Sequence, residues 1–176
     1  MSGSQPTHAS RRILLPAKPW FIAFTLFVAL LLNMVPFGRL PGIPDWVALV
    51  LCFWCIHQPL RIGMGAAFVL GLAMDVANAA VMGQHALAYV VLAYAAGGLS
   101  RRILWFPLGQ QALHVLPLLV GTQVLMTVVR MLGGAEFPGL LWFLSGPVAT
   151  LLWHPVTFLL LAPQFMPVEK DSERPI

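Results

Sequence analysis

Long apolar runs follow one another along almost the whole chain, separated by short breaks of proline, glycine and charge. Six runs can be delimited, at residues 20–37, 45–59, 62–81, 86–106, 111–131 and 138–165. A helix needs about 20 mostly apolar residues to cross a bilayer core of about 30 Å. Only 9% of the 176 residues are charged and 59% are hydrophobic, whereas a soluble domain carries about 25% charged residues. The runs therefore predict an all-α polytopic integral membrane protein, a bundle of about six transmembrane helices.

The second run, 45–59, is short for a full crossing at about 1.5 Å per residue. It is tilted, kinked near Pro59 or partly shielded by its neighbours, and the sequence leaves these alternatives open. The connections are short, so sequential helices should pack as antiparallel neighbours. We predict a transmembrane domain at 20–165 between two cytoplasmic tails, 1–19 and 166–176. The first run is too long for a signal peptide and lacks a cleavage site after it, so we interpret it as an uncleaved span.

Lysine and arginine are divided unevenly between the two sides of this topology. With the N-terminus in the cytoplasm, eight fall inside: Arg11, Arg12, Lys18, Arg61, Arg101, Arg102, Lys170 and Arg174. Two, Arg39 and Arg130, fall outside. The positive-inside rule predicts this orientation, with both termini cytoplasmic. The basic residues occur singly or in pairs, without a dense patch, so nucleic acid is excluded as a partner.

The sequence contains no pattern that predicts catalysis or a metal site. Cys52 and Cys55 share a helix face, but His57 lies about 200° round from Cys55 at about 100° per residue. These three side chains cannot converge on one ion, so the thiols are interpreted as small apolar packing groups. No GxSxG, HExxH, Walker loop or GxGxxG occurs. We therefore expect no enzymatic activity, no metal and no cofactor.

Small residues recur every four positions along the third run and form a ridge on one helix face. The ridge is Gly63, Ala67, Gly71, Asp75 and Ala79, and Ala93 and Gly97 in the fourth run complement it. Small residues at this spacing let two helix backbones approach closely in lipid. Gly63, Ala67, Gly71, Ala93 and Gly97 are therefore predicted to pack the third helix against the fourth.

Asp75 is an acid on this protein-facing ridge. It follows Arg61 by 14 residues, which places it about 21 Å outward, in the outer half of the bilayer. A buried carboxylate needs a partner, and Arg130 is the first choice and Arg39 the second. We predict an outer polar site consisting of Asp75, Arg130, Arg39, Asp45 and His85. The site either binds a partner or ligand or fixes helix register through a structural ion pair, and the two roles are compatible.

Residues 43–89 also carry an ordered series of short motifs. They are Pro44 with Asp45, Pro59 with Arg61, Gly71 and Leu72 with Asp75, and Gly83 with Ala86 and Leu87. In this order and spacing they resemble the bacterial rod-shape-determining MreD family. The resemblance implies a non-enzymatic component of the cell-elongation machinery in the inner membrane. It also implies MreC, the actin-like MreB, the polymerase RodA and a class B penicillin-binding protein as partners.

Two rival functions remain at the level of sequence. The MreD family is distantly similar to the substrate-binding subunits of energy-coupling-factor vitamin transporters, so the layer around Asp75 is alternatively a small-molecule pocket. An enzyme acting on a lipid-linked substrate is the third hypothesis. Polar residues are few in the predicted outer loops. A vitamin pocket needs several placed polar groups, so the sequence favours the protein-binding role.

Overall fold

The structure, a computed structural model, describes residues 17–35 and 42–164. Its regular elements there are helices: α1 Pro19–Met34, α2 Trp46–His57, α3 Met64–Ala77, α4 Gln84–Leu104, α5 Leu108–Leu132, α6 Ser145–Leu151 and α7 Trp153–Leu161. Short 3-10 helices, Leu140–Leu144 and Ala162–Gln164, precede α6 and follow α7. The prediction of an all-α, membrane-type bundle is confirmed, and each of the six predicted runs coincides with a helical segment. The predicted tails lie mostly outside the described residues.

Helix α2 lies at the centre of the bundle. Each residue of its segment 47–56 is buried, with at most 7% of its surface exposed, and α1, α4, α5 and α7 all contact it. A helix that is hydrophobic all round is one that is buried on all sides. Shielding by neighbouring helices therefore explains why the second run can be so short. Cys52 and Cys55 are fully buried among these core side chains.

The helices differ in whether they are long enough to cross a bilayer. By length and composition, α4 and α5 are long and apolar enough, and the bent segment from Leu140 to Gln164 would make a third. Helices α1, α2 and α3 are apolar but have 16, 12 and 14 residues. A count of six crossings, and the orientation of the termini, stay predictions.

The last predicted run is broken in the structure. Helices α6 and α7 are separated at Leu152, and the two halves of the segment are bent by 43°. Each helix has a proline at its third position, Pro147 and Pro155. Proline is tolerated in the first turn of a helix, where its missing N–H has no intrahelical partner, but it disrupts an interior. The break places both prolines where the helix accepts them.

Helices α3 and α4 are antiparallel neighbours joined by a short turn, residues 78–83, and α4 also packs against α2 and α5. The end of α3 and the start of α4 therefore lie at the same end of the bundle as the end of α1 and the start of α2. The predicted polar residues Asp45, Asp75 and His85 meet at this end.

Candidate functional site

The Asp75 carboxylate caps the first turn of helix α4. It accepts hydrogen bonds from the backbone nitrogens of Gly83 and His85, each at 2.8 Å, and of Ala86 at 3.4 Å. These N–H groups lie at the start of α4, where a helix leaves its first donors without internal partners. The aligned peptide dipoles also favour a negative charge there. Asp75 is 2% exposed, so the backbone donors satisfy a carboxylate that has left water.

The His85 side chain completes this arrangement. Its Nδ1 lies 2.8 Å from Asp75 Oδ1, and both side chains are buried. The carboxylate oxygen accepts, so Nδ1 carries the donated proton. The predicted partner Arg130 is therefore corrected to His85, which the turn between α3 and α4 brings onto Asp75. Arg130 lies half-buried in the last turn of α5, and Arg39 lies outside the described residues.

The backbone of Asp75 also takes part in ending α3. Its carbonyl oxygen accepts from Ala80 N at 3.0 Å, and the Val76 carbonyl accepts from Ala79 N at 3.3 Å. This pair of bonds is the Schellman arrangement, which places one residue in the left-handed region just after the helix. Ala79, with φ of 47°, occupies that position. One residue thus closes α3 through its main chain and opens α4 through its side chain.

Helices α3 and α4 make a backbone-to-backbone contact one turn before Asp75. A Cβ on Gly71 would lie 2.3 Å from Cα of Ala86 and 2.5 Å from its nitrogen. Real Cβ atoms do not approach so closely, so only glycine fits here. Gly83 has φ of +95°, which glycine adopts without steric penalty. The Gly71–Ala86 contact and the turn at Gly83 together bring the N–H donors of α4 to Asp75.

Asp45 is the second capping carboxylate at this end. It precedes α2, and its Oδ1 accepts from Ala48 N at 3.0 Å and from Asn33 Nδ2 at 2.8 Å. Its Oδ2 accepts from the Tyr89 hydroxyl at 2.8 Å. The Asn33 Oδ1 in turn accepts from Trp46 N at 2.9 Å. Asp45 therefore joins the end of α1, the start of α2 and the first half of α4.

The two capping carboxylates are linked through α4. Tyr89 follows His85 by one helical turn, and their rings meet edge to face with centroids 5.9 Å apart. We call Asn33, Asp45, Asp75, His85 and Tyr89 the capping layer. The sequence predicted Asp45, Asp75 and His85 as members but missed the other two. The signals for those were a single amide near the end of an apolar run and a tyrosine one turn from His85 on the same helix face.

The five predicted packing residues fall into two groups. Gly71 touches Ala86, and Ala67 and Ala93 are buried with 0% and 7% of their surface exposed. Gly63 and Gly97 instead have no atom of the described residues within 4 Å of an added Cβ. The close approach of α3 and α4 therefore lies at the Asp75 end, and a packing role for Gly63 and Gly97 stays a prediction.

A small cavity lies beside Asp45, between α2, α5 and α6. Its lining includes Thr122, Gln123, Ser145 and Gly146, and its volume is about 10 Å³. That is room for about one water molecule, whereas ligand pockets typically measure about 300–1,000 Å³. The cavity next to the capping layer is therefore too small for a vitamin-sized ligand.

Comparison with known proteins gives one family and one relative. The family model for the rod shape-determining protein MreD matches residues 11–162. A rod shape-determining protein MreD from Haemophilus influenzae is 35% identical over 71 residues, which cover 39% of this chain and 44% of that protein. The chain thus spans less than half the length of this curated relative in the match. No solved structure gives a significant match.

Proposed function

This chain belongs to the MreD family of rod shape-determining proteins, and on that basis we propose that it is a non-enzymatic scaffold of the cell-elongation complex. The protein would be located in the bacterial inner membrane. Its chain would cross this membrane several times, with both termini in the cytoplasm. There it would bind the membrane-anchored MreC. MreB, RodA and a class B penicillin-binding protein would be further members of the same assembly.

The observation that best supports a scaffold is that residues of the family-like motifs contact one another inside the protein. Gly71 and Asp75 come from one motif, and Gly83 and Ala86 come from the next. These four residues contact one another in the α3–α4 hairpin. Both acids of the capping layer accept hydrogen bonds from the protein's own donors. Residues used in this way hold helices in register, which is the task of a protein that presents fixed surfaces to partners.

The transporter alternative has less support. A vitamin-binding subunit would need a pocket near the capping layer with polar groups turned towards the ligand. Asp75 is 2% exposed and surrounded by donors from α4, and the cavity beside Asp45 measures about 10 Å³. We therefore retain the scaffold as the proposed function.

The test is complementation in rod-shaped cells depleted of their own family member. The full chain should restore rods, and MreC should co-purify with it from membranes in mild detergent. Asp75→Leu should lose both, whereas the control Val76→Leu should retain both, because Val76 is 71% exposed. Protein abundance is measured for each variant, so that loss of the fold is separated from loss of binding. Rods restored without recovery of MreC would contradict the proposed partner, and a co-purifying metabolite in place of MreC would favour transport.

A further inference from the structure

A wide groove opens between helices α3 and α4 at the end remote from the capping layer. Its volume is about 510 Å³, and its walls include Pro59, Ile62 and Gly63 on one side and Ala93, Gly97 and Leu99 on the other. Within residues 17–35 and 42–164, no atom lies within 4 Å of a Cβ added to Gly63 or Gly97. Most of the groove lining is apolar, and in a bilayer such a groove is filled by hydrocarbon, either from lipid or from another protein.

Three arginines lie close in the chain to residues that line the groove. Arg61 lies between the lining residues Pro59 and Ile62, in the turn before α3. Arg101 follows Gly97 by four residues, and Arg102 follows Gly98 by four, so both continue groove-lining faces of α4 by one turn. All three arginines are exposed.

A fourth basic residue stands next to Arg61. The Arg61 Nη1 donates to the Ala17 carbonyl at 2.9 Å, which brings the exposed Lys18 close to Arg61.

Carboxylates lie elsewhere within residues 17–35 and 42–164. The acids there are Asp45, Asp75 and Glu136, which belong to the capping layer or follow the end of α5. Asp75 contacts His85 at the opposite end of the α3–α4 hairpin. The groove therefore combines apolar walls with positive charge at its mouth.

We propose that this groove binds an anionic phospholipid, with one acyl chain along the glycine-lined walls and the phosphate between Arg61 and Arg101. Guanidinium groups bind phosphate through paired, charge-assisted hydrogen bonds. Basic pockets between transmembrane helices recognise anionic headgroups for this reason. A helix of apolar side chains would fill the walls but would bring no negative charge to the arginines, so the charge pattern favours lipid over protein as the occupant.

The experiment is native mass spectrometry of the full-length protein in detergent with added lipid. Dioleoyl phosphatidylglycerol and dioleoyl phosphatidylcholine have the same acyl chains and differ in net headgroup charge. One molecule of the anionic lipid should be retained, with about tenfold preference over the zwitterionic one. Arg61→Gln and Arg101→Gln should each remove most of this preference. Gly97→Leu, which fills the groove, should lower retention of both lipids about fivefold or more.

Two control variants separate the groove from general membrane affinity. Gly121→Leu adds the same side chain at another open glycine, on α5, and Arg130→Gln removes one charge at the other end of the bundle. Both should retain the anionic lipid as the unaltered protein does, and gel filtration checks that every variant is folded. Equal retention of the two lipids, or no effect of Gly97→Leu, would overturn the proposal. So would loss of a protein partner or of a dimer in Gly97→Leu at unchanged lipid retention, because the occupant would then be protein.

Discussion

The two ends of the α3–α4 hairpin are built from the same kind of residue but pack differently. At one end Gly71 lies so close to Ala86 that no side chain fits, and Asp75 is bonded to the first turn of α4. At the other end, a Cβ added to Gly63 or Gly97 would meet no atom in the described part of the chain. Small residues at four-residue spacing permit close approach of two helices. In this hairpin the close approach coincides with the hydrogen bonds of Asp75, which we call the polar anchor.

The anchor is present at one end because chain connectivity supplies it. Asp75 and its donors are separated by a turn of six residues, 78–83, which holds the start of α4 beside the end of α3. At the other end α3 is joined to α2, so no turn ties it to α4. The hairpin is therefore held together at its closed end and is free to diverge at its open end.

Removing the Asp75 carboxylate should have the largest effect on the free energy of unfolding. Asp75→Leu leaves three backbone donors and the His85 ring without their acceptor, and each unsatisfied buried donor costs about 1–3 kcal/mol. We expect a loss of about 3 kcal/mol or more in the free energy of unfolding. Asp75→Asn keeps one acceptor oxygen and should lose about half as much. Thermal unfolding in detergent measures both, and a midpoint unchanged in Asp75→Leu would show that the cap contributes little.

The second largest effect is expected from filling the close contact at Gly71, compared with the same change at Gly97. Gly71→Ala forces α3 away from the Ala86 backbone and should destabilise the protein by about 1–3 kcal/mol, as overpacking does. The matched change Gly97→Ala meets no atom of residues 17–35 and 42–164. It should be neutral or stabilising by about 0.5 kcal/mol, since alanine favours a helix over glycine. Unfolding midpoints of the two variants are compared directly. Equal effects would mean that the hairpin is packed uniformly along its length.

The link between the two capping carboxylates should contribute less than the cap itself. Tyr89→Phe removes the hydroxyl that donates to Asp45 but keeps the buried ring. We expect a loss of about 1.5 kcal/mol, typical of a hydrogen bond to a charged group. Tyr94→Phe is the control, because Tyr94 is 71% exposed on the same helix. If the two variants unfold at the same temperature, the Tyr89 bond does not stabilise the layer.

The smallest expected change is a gain in stability from a substitution in the turn between α3 and α4. Ala79 has φ of 47°, a left-handed conformation that carries a steric penalty for alanine and none for glycine. Ala79→Gly should stabilise the protein by up to about 1 kcal/mol, offset in part by the greater freedom of glycine in the unfolded chain. A higher unfolding midpoint is the expected result. A lower one would show that the Schellman turn is not under strain.

The sequence predicted the helical segments well because length and hydropathy are local properties. It also placed Asp45, Asp75 and His85 at one end of the bundle. It chose the wrong partner for Asp75, since a search for opposite charge overlooks backbone donors, which become a binding site only when a turn presents them. Asn33 and Tyr89 were missed for a related reason: each acts through a contact between helices distant in the chain.

The dual use of Asp75 has a consequence for biosynthesis. Its carbonyl group serves a turn that follows immediately, but its carboxylate is satisfied only after Gly83, His85 and Ala86 have been made. At about 5–20 residues per second, the ribosome adds those residues within a second or two. During that interval the transfer of Asp75 into lipid is unfavourable, because an unpartnered charge is costly there. We therefore expect α3 to await α4 and the two to leave the translocon as a pair.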